Sequence, residues 1–160
     1  MTRLSSALGA NYESKRNDMR IRTFELGGHR FKVRVPLVSE SDGMYLRVMN
    51  PDAARVEEVY KETTESLQKF KDQASDDFQF TDNDILVSGR SMREAAKSKA
   101  MTEARITEYV RLLVAENPEN TLNDITYADI EAEWPLAVQL TLTDKIGEVI
   151  SPTYKETRGN

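Results

Sequence analysis

The stretch Glu25 to Pro36, ELGGHRFKVRVP, holds a Gly-Gly pair, the only histidine of the chain, and three basic residues, Arg30, Lys32 and Arg34, within five positions. Those residue types suit three chemistries: a loop cradling phosphate, a catalytic or metal-binding imidazole, or a patch that contacts nucleic-acid phosphates. The first needs a GxxxxGK[ST] run leading into a helix, so that backbone N–H groups and a helix N-terminus face the anion. Gly27 and Gly28 instead lead into an alternating, strand-like run. The second needs a nucleophile and an orienting acid, or further ligands, around the ring. His29 has neither a cysteine nor a second histidine to work with, and reads as a surface residue beside a turn. The third usually pairs basic residues with aromatic platforms or a groove-reading helix. On a strand, Phe24 and Phe31 lie on the face opposite Arg30, Lys32 and Arg34, so these cations read as a solvated face or a docking edge.

Oxygen-donor chemistry fares no better. Asp82-Asn83-Asp84 begins like a calcium loop, but that loop requires Gly at its sixth position and Glu at its twelfth. Val87 and Arg93 stand there, so helix capping is the better reading. The carboxylate pairs Asp76/Asp77 and Glu131/Glu133 have no sequence feature that brings them to a shared cleft. No catalytic residue, cofactor site or metal site is expected, and the chain does not read as an enzyme.

The elements that position these residues follow from periodicity. Residues 1–18 have none and read as a mobile arm. Residues 19–36 alternate, with Gly27-Gly28 as a two-residue hairpin loop. That loop pairs Leu26 with His29, Phe24 with Phe31 and Arg22 with Val33 on one face. It pairs Glu25 with Arg30 and Thr23 with Lys32 on the other. Residues 38–150 form the helical body: a short helix after Ser39; a restart with Asn50 as N-cap and Pro51 at the first helical position; and an amphipathic helix to about Gln73, with Glu57/Lys61 and Glu65/Lys69 on its wet face. Residues 78–89 read as irregular or partly extended. A long helix is expected over 91–116, then a short one capped by Thr126 and Asp129. Trp134-Pro135 breaks direction before a last helix. That helix is apolar on two sides, Leu136, Leu140, Val149 and Ile150 on one, and Val138, Leu142 and Ile146 on the other. Residues 152–160 read as a tail. The fold class is therefore mostly α (α+β), an N-terminal β-hairpin followed by a bundle of about four to five helices. The domain organisation expected is one domain over 19–151.

With 160 residues a single packed core is affordable, yet 31% of them are charged and only 39% hydrophobic. Such a chain often completes its burial against another protein, either itself as a homo-oligomer or a partner. The net charge of −5 conceals an asymmetry. Residues 1–35 carry eight basic side chains against Glu13, Asp18 and Glu25, whereas residues 116–133 hold six acids and no base. A basic arm on an acidic body favours docking on itself or on a neighbouring copy over nucleic acid. No apolar run reaches the ~20 residues of a membrane span, and the first residues lack the apolar core of a secretory signal. With no cysteines, a cytoplasmic setting is expected. Trp134, the only tryptophan, reads either as a wedge between helices or as a hot spot for a partner.

The hairpin FELGGHRFKVRVP, an acidic helical body, and the run from Ile130 to Trp134-Pro135 ahead of a last apolar helix together resemble the tail assembly chaperones of long-tailed bacteriophages. The resemblance covers the order of elements from about Thr23 to Ile150. It implies a small, mostly helical protein of the host cytoplasm, with no catalytic residues, that binds the long helical tape measure protein and keeps it soluble until the tail polymerises. In many members a programmed ribosomal frameshift adds a C-terminal extension that engages the major tail protein. Here Arg158-Gly159-Asn160 can be encoded by a G-GGA-AAC slippery heptamer, and the nucleotide sequence decides whether it is. The partner-binding residues expected are Arg30, Lys32 and Arg34 on the hairpin, with Trp134, Val138, Leu142 and Ile146. The competing readings are a structural virion component, such as a head–tail connector or tail-completion protein, and a small adaptor.

Overall fold

A computed structural model describes residues 2–73 and 76–151. In chain order the elements are α1 (Arg3–Leu8), α2 (Ala10–Lys15), β1 (Ile21–Leu26), β2 (His29–Arg34), α3 (Val38–Met49), α4 (Ala53–Thr64), β3 (Phe78–Phe80), β4 (Ile85–Val87), β5 (Arg90–Ser91), α5 (Met92–Val110), α6 (Tyr127–Glu133) and α7 (Leu136–Ile150). The class is mostly helical α+β, with five helices after the hairpin. Where the sequence reads one domain over 19–151, the chain divides into two compact units: one of residues 1–41 with 106–160, the other of residues 42–105. The boundaries fall within α3 and α5. The 152–160 tail lies outside the described residues.

In the first unit, the stretch read as a mobile arm contains two short helices, α1 and α2. Thr2 caps α1 by accepting from the Ser5 N–H. The hairpin has the expected register from Ile21↔Arg34 to Leu26↔His29. Its turn demands φ > 0 at both central positions, which Gly27 (60°) and Gly28 (81°) supply. Phe24 and Phe31 stack across it with ring centroids 5.3 Å apart.

The helix expected over 91–116 stops at Val110 instead. The next residues join the free edge of β2: the Arg34 N–H donates to the Leu112 carbonyl at 2.9 Å, and the Val114 N–H to the Lys32 carbonyl at 2.8 Å. A bridge between Val33 and Leu113 completes this short third strand. Sheet hydrogen bonds and burial of Leu112 and Leu113 replace the last helical turns. The chain then reaches α6 through the expected capping box of Thr126 and Asp129, and α7 packs on β1 and β2. Pro135 is the N-cap of α7, one position before the first helical residue. The core of this unit comprises Val33, Ile106, Val110, Ile130, Leu142 and Ile146.

In the second unit, Asp52, not Asn50, caps α4 by accepting from the Ala54 N–H at 3.1 Å. The Asn50 amide donates to the Leu46 carbonyl at the end of α3 instead. The helix expected to run to Gln73 leaves α geometry at Thr64, and a 3-10 segment follows over Glu65–Phe70. The Thr63 and Thr64 hydroxyls donate back to the carbonyls of Val59 and Tyr60, bonds that compete with regular helix. Glu57 meets Arg93 at 2.7 Å rather than acting only with Lys61. The stretch read as irregular is an antiparallel sheet in the order β3-β4-β5. As the capping reading expects, Asp84 accepts from Ser91 Oγ and from the Ile85 and Arg93 N–H groups, tying the sheet to the start of α5. Val59, Tyr60 and Ala96 form the core between α4 and α5.

Candidate partner-binding clefts around Trp134

The expected partner-binding residues divide once the first unit has folded. Arg34 is not a free docking cation. Glu40, at the start of α3, accepts from Arg34 Nη1 and, at 2.9 Å, from Arg20 Nη2. Arg20 also donates to the Val35 carbonyl at 3.0 Å. Part of the basic surface of the hairpin is thus spent on the protein's own body. Burial alone would raise the Glu40 pKa, but the hydrogen bonds and charges of Arg34 and Arg20 overrule it and hold the carboxyl below its ordinary value of 4.5. A depressed carboxyl contributes stability above its unfolded pKa and loses that contribution as pH falls through the folded value. Glu40→Gln is therefore expected to cost about 1 kcal/mol at pH 7, a figure discounted for partial exposure. It should also flatten the acid limb of stability below about pH 4.5 in urea titrations. An unchanged limb would place the acid sensitivity elsewhere.

Arg30 and Lys32 remain exposed. Arg30 has only a loose contact with Glu25 across the hairpin, 3.5 Å at an exposed site. His29 lays its ring edge-on to Phe31, with centroids 4.7 Å apart.

Leu142 and Ile146, expected at a partner surface, are core residues instead. The inward face of α7 is Gln139, Leu142, Thr143 and Ile146, all 1% exposed or less. This spacing is one helical stripe, but two of its members are polar. Each is satisfied. Gln139 accepts from the Tyr127 hydroxyl at 2.8 Å and donates to the Trp134 carbonyl at 2.8 Å. The Thr143 hydroxyl donates to the Gln139 carbonyl at 2.8 Å. Gln139 thus ties α6, the Trp134-Pro135 break and α7 together. Leu136 (55% exposed) and Leu140 (40%) lie on one flank of that stripe and Val138 (37%) on the other. The helix buries a glutamine and a threonine beside Leu142 and Ile146 and leaves apolar side chains part-exposed on both flanks.

Trp134 stands half-buried between two clefts. One, of about 410 Å³, lies between the hairpin tip and α7, with Leu26, Phe31, Ala137, Val138 and Thr141 among its walls. It has no charged residue in its lining and opens at part-exposed Val138. The other, of about 300 Å³, lies along the edge of β2. Its floor is apolar, with Leu113, Leu122 and Ile125. One wall carries His29, Arg30 and Lys32, the other Glu116, Asp129 and Glu133. Here the two faces of β2 meet: Phe31 comes together with the neighbouring cations, which the strand alternation alone would keep apart. The Trp134 backbone carbonyl locks the helix junction, and the residue lines both clefts.

Among the described residues no three His, Asp or Glu gather as metal ligands, and no helix is long and apolar enough to cross a membrane. The burial of Gln139 could not be ranked from the sequence, because its hydrogen bonds are completed only by Tyr127 of α6 and the Trp134 carbonyl of the junction. No protein-family model, curated protein or solved structure matches this chain.

Proposed function

We propose that this protein is a tail assembly chaperone of a long-tailed bacteriophage, which binds the tape measure protein in the host cytoplasm and keeps it soluble, without catalysis. The observation that carries the reading is the cleft between the hairpin tip and α7, which has no charged residue in its lining and is bordered by exposed Val138, with Leu136 and Leu140 exposed on the other flank of the helix. Exposed apolar residues beside an uncharged cleft mark a protein contact. An amphipathic helix of the client lays its apolar stripe over Val138 and inserts a side chain beside Trp134, in helix-in-groove fashion. Its acidic body keeps the complex soluble. The major tail protein is the second partner, reached through a frameshifted extension.

Co-expression with the long helical protein encoded downstream tests this. The wild type is expected to retain that protein in the soluble fraction and to co-purify with it. Val138→Asp/Leu140→Asp, on exposed positions, is expected to fold and to lose at least about tenfold in affinity. A client that stays insoluble with wild type overturns the reading. Persistence of the protein in purified virions would point instead to a structural component.

A further inference from the structure

Two faces of the first unit have no cover in the described chain, and their chemistry matches. The first is the α1–α2 arm. α1 packs on α2 and leaves Leu4 and Leu8 61% and 59% exposed, one turn apart. The arm is basic, with Arg3 and Lys15 in no ion pair among the described residues, and it carries one acid, Glu13, held by Arg16 at 3.5 Å. The second is the cleft along β2. On its floor Leu122 and Ile125 are half-buried above buried Leu113, and Glu116 and Glu133 on its rim make no ion pair among the described residues. No residue of the arm lines this cleft in its own chain.

We propose that the arm of one copy docks in the β2-edge cleft of a second copy, with Leu4 and Leu8 on the apolar floor and Arg3 and Lys15 facing Glu116 and Glu133. Each copy offers one arm and one cleft, so a two-fold pair uses both twice, and no further copies are needed to close the assembly. The occupant follows from charge. The cleft carries Arg30 and Lys32 on one side and Glu116, Asp129 and Glu133 on the other, and the arm, which is basic and exposes Leu4 and Leu8, matches the acidic side and the apolar floor. The two clefts share Phe31 and Trp134, but the contact does not use Val138 or Leu140, so variants at those positions separate it from the client proposed above.

Sedimentation velocity on the full chain tests this. The wild type is expected to be a dimer at micromolar concentration. Leu4→Asp/Leu8→Asp and, separately, Glu116→Lys/Glu133→Lys are expected to weaken the dimer at least about tenfold with unchanged far-ultraviolet circular dichroism. Adding Arg3→Glu/Lys15→Glu to the Glu116→Lys/Glu133→Lys chain is expected to restore most of the association, which a general loss of folding could not do. The proposal is overturned by a wild type that stays monomeric, or by a dimer indifferent to both the leucine and rim variants. A leucine variant that shifts Trp134 fluorescence without changing the mass would also overturn it, since the arm would then dock on its own chain.

Discussion

Ile146→Ala is expected to lower the free energy of unfolding by about 3–4 kcal/mol, whereas Leu140→Ala, six residues earlier on the same helix, should change it by less than about 0.5. Both remove aliphatic carbon from α7, so the difference isolates the side each residue faces. Ile146 is fully buried in the first unit, and truncation removes its transfer free energy and leaves a cavity that close-packed neighbours fill only in part. Packing beside it resists collapse: a Cβ added at Gly147 would already lie 3.4 Å from the Tyr109 ring. Leu140 faces water and has little to lose. Urea unfolding followed by circular dichroism measures both. The contrast also separates stability from recognition. Leu140→Ala should weaken partner capture without loosening the fold, and Ile146→Ala should do the reverse at temperatures where it stays folded. Equal destabilisation by the two variants would remove the inward and outward assignment of α7.

Arg55→Met is the second large effect, with an expected loss of about 3–5 kcal/mol in the second unit. Arg55 on α4 clamps Glu103 on α5 with two bonds, Nε to Oε1 at 2.8 Å and Nη2 to Oε2 at 3.0 Å. The Glu103 side chain is only 8% exposed. A methionine fills similar space but removes both charge-assisted bonds, leaving a buried carboxylate without its fork. Much of the loss is the cost of burying a carboxylate that has lost its two strongest bonds, not the worth of the pair. Arg55→Met/Glu103→Leu should therefore recover most of the stability, since a well-packed apolar pair can equal a buried ion pair. Thermal and urea denaturation of the two single variants and the double variant gives the coupling directly. A double variant as unstable as the sum of its singles would mean that Arg55 and Glu103 act through separate neighbours.

The local devices were the legible part of the fold. A Gly-Gly turn between alternating runs specifies the hairpin and its register, because the turn fixes which residues face each other and a slip by one would invert both faces. The Thr126/Asp129 capping box and the break at Trp134-Pro135 are likewise encoded within a few residues. The capping role of Asp84 was legible in kind, though not the nine-residue reach to the Arg93 N–H. The N-cap beside Pro51 was misplaced by two positions because both Asn50 and Asp52 suit the task, and only the observed bonds show that Asn50 closes the helix before it.

Residue order and type by themselves determined the hairpin, the number of helices that follow it, the basic arm and the acidic stretch from Glu116 to Glu133. Tertiary structure alone decided three things. It ended α5 at Val110, because the open edge of β2 offers Leu112 and Val114 backbone partners that no local pattern reveals. It engaged Arg34 through Glu40, so that only Arg30 and Lys32 of the expected basic set stay exposed. It chose which side of α7 faces inward, burying Gln139 and Thr143 together with Leu142 and Ile146. A buried Gln139 is tolerable only where Tyr127 and the Trp134 carbonyl complete its hydrogen bonds, and those partners come together only when α6 and α7 fold onto each other. The leucines left outside by that choice, together with the clefts on either side of Trp134, are the surface on which the proposed contacts rest.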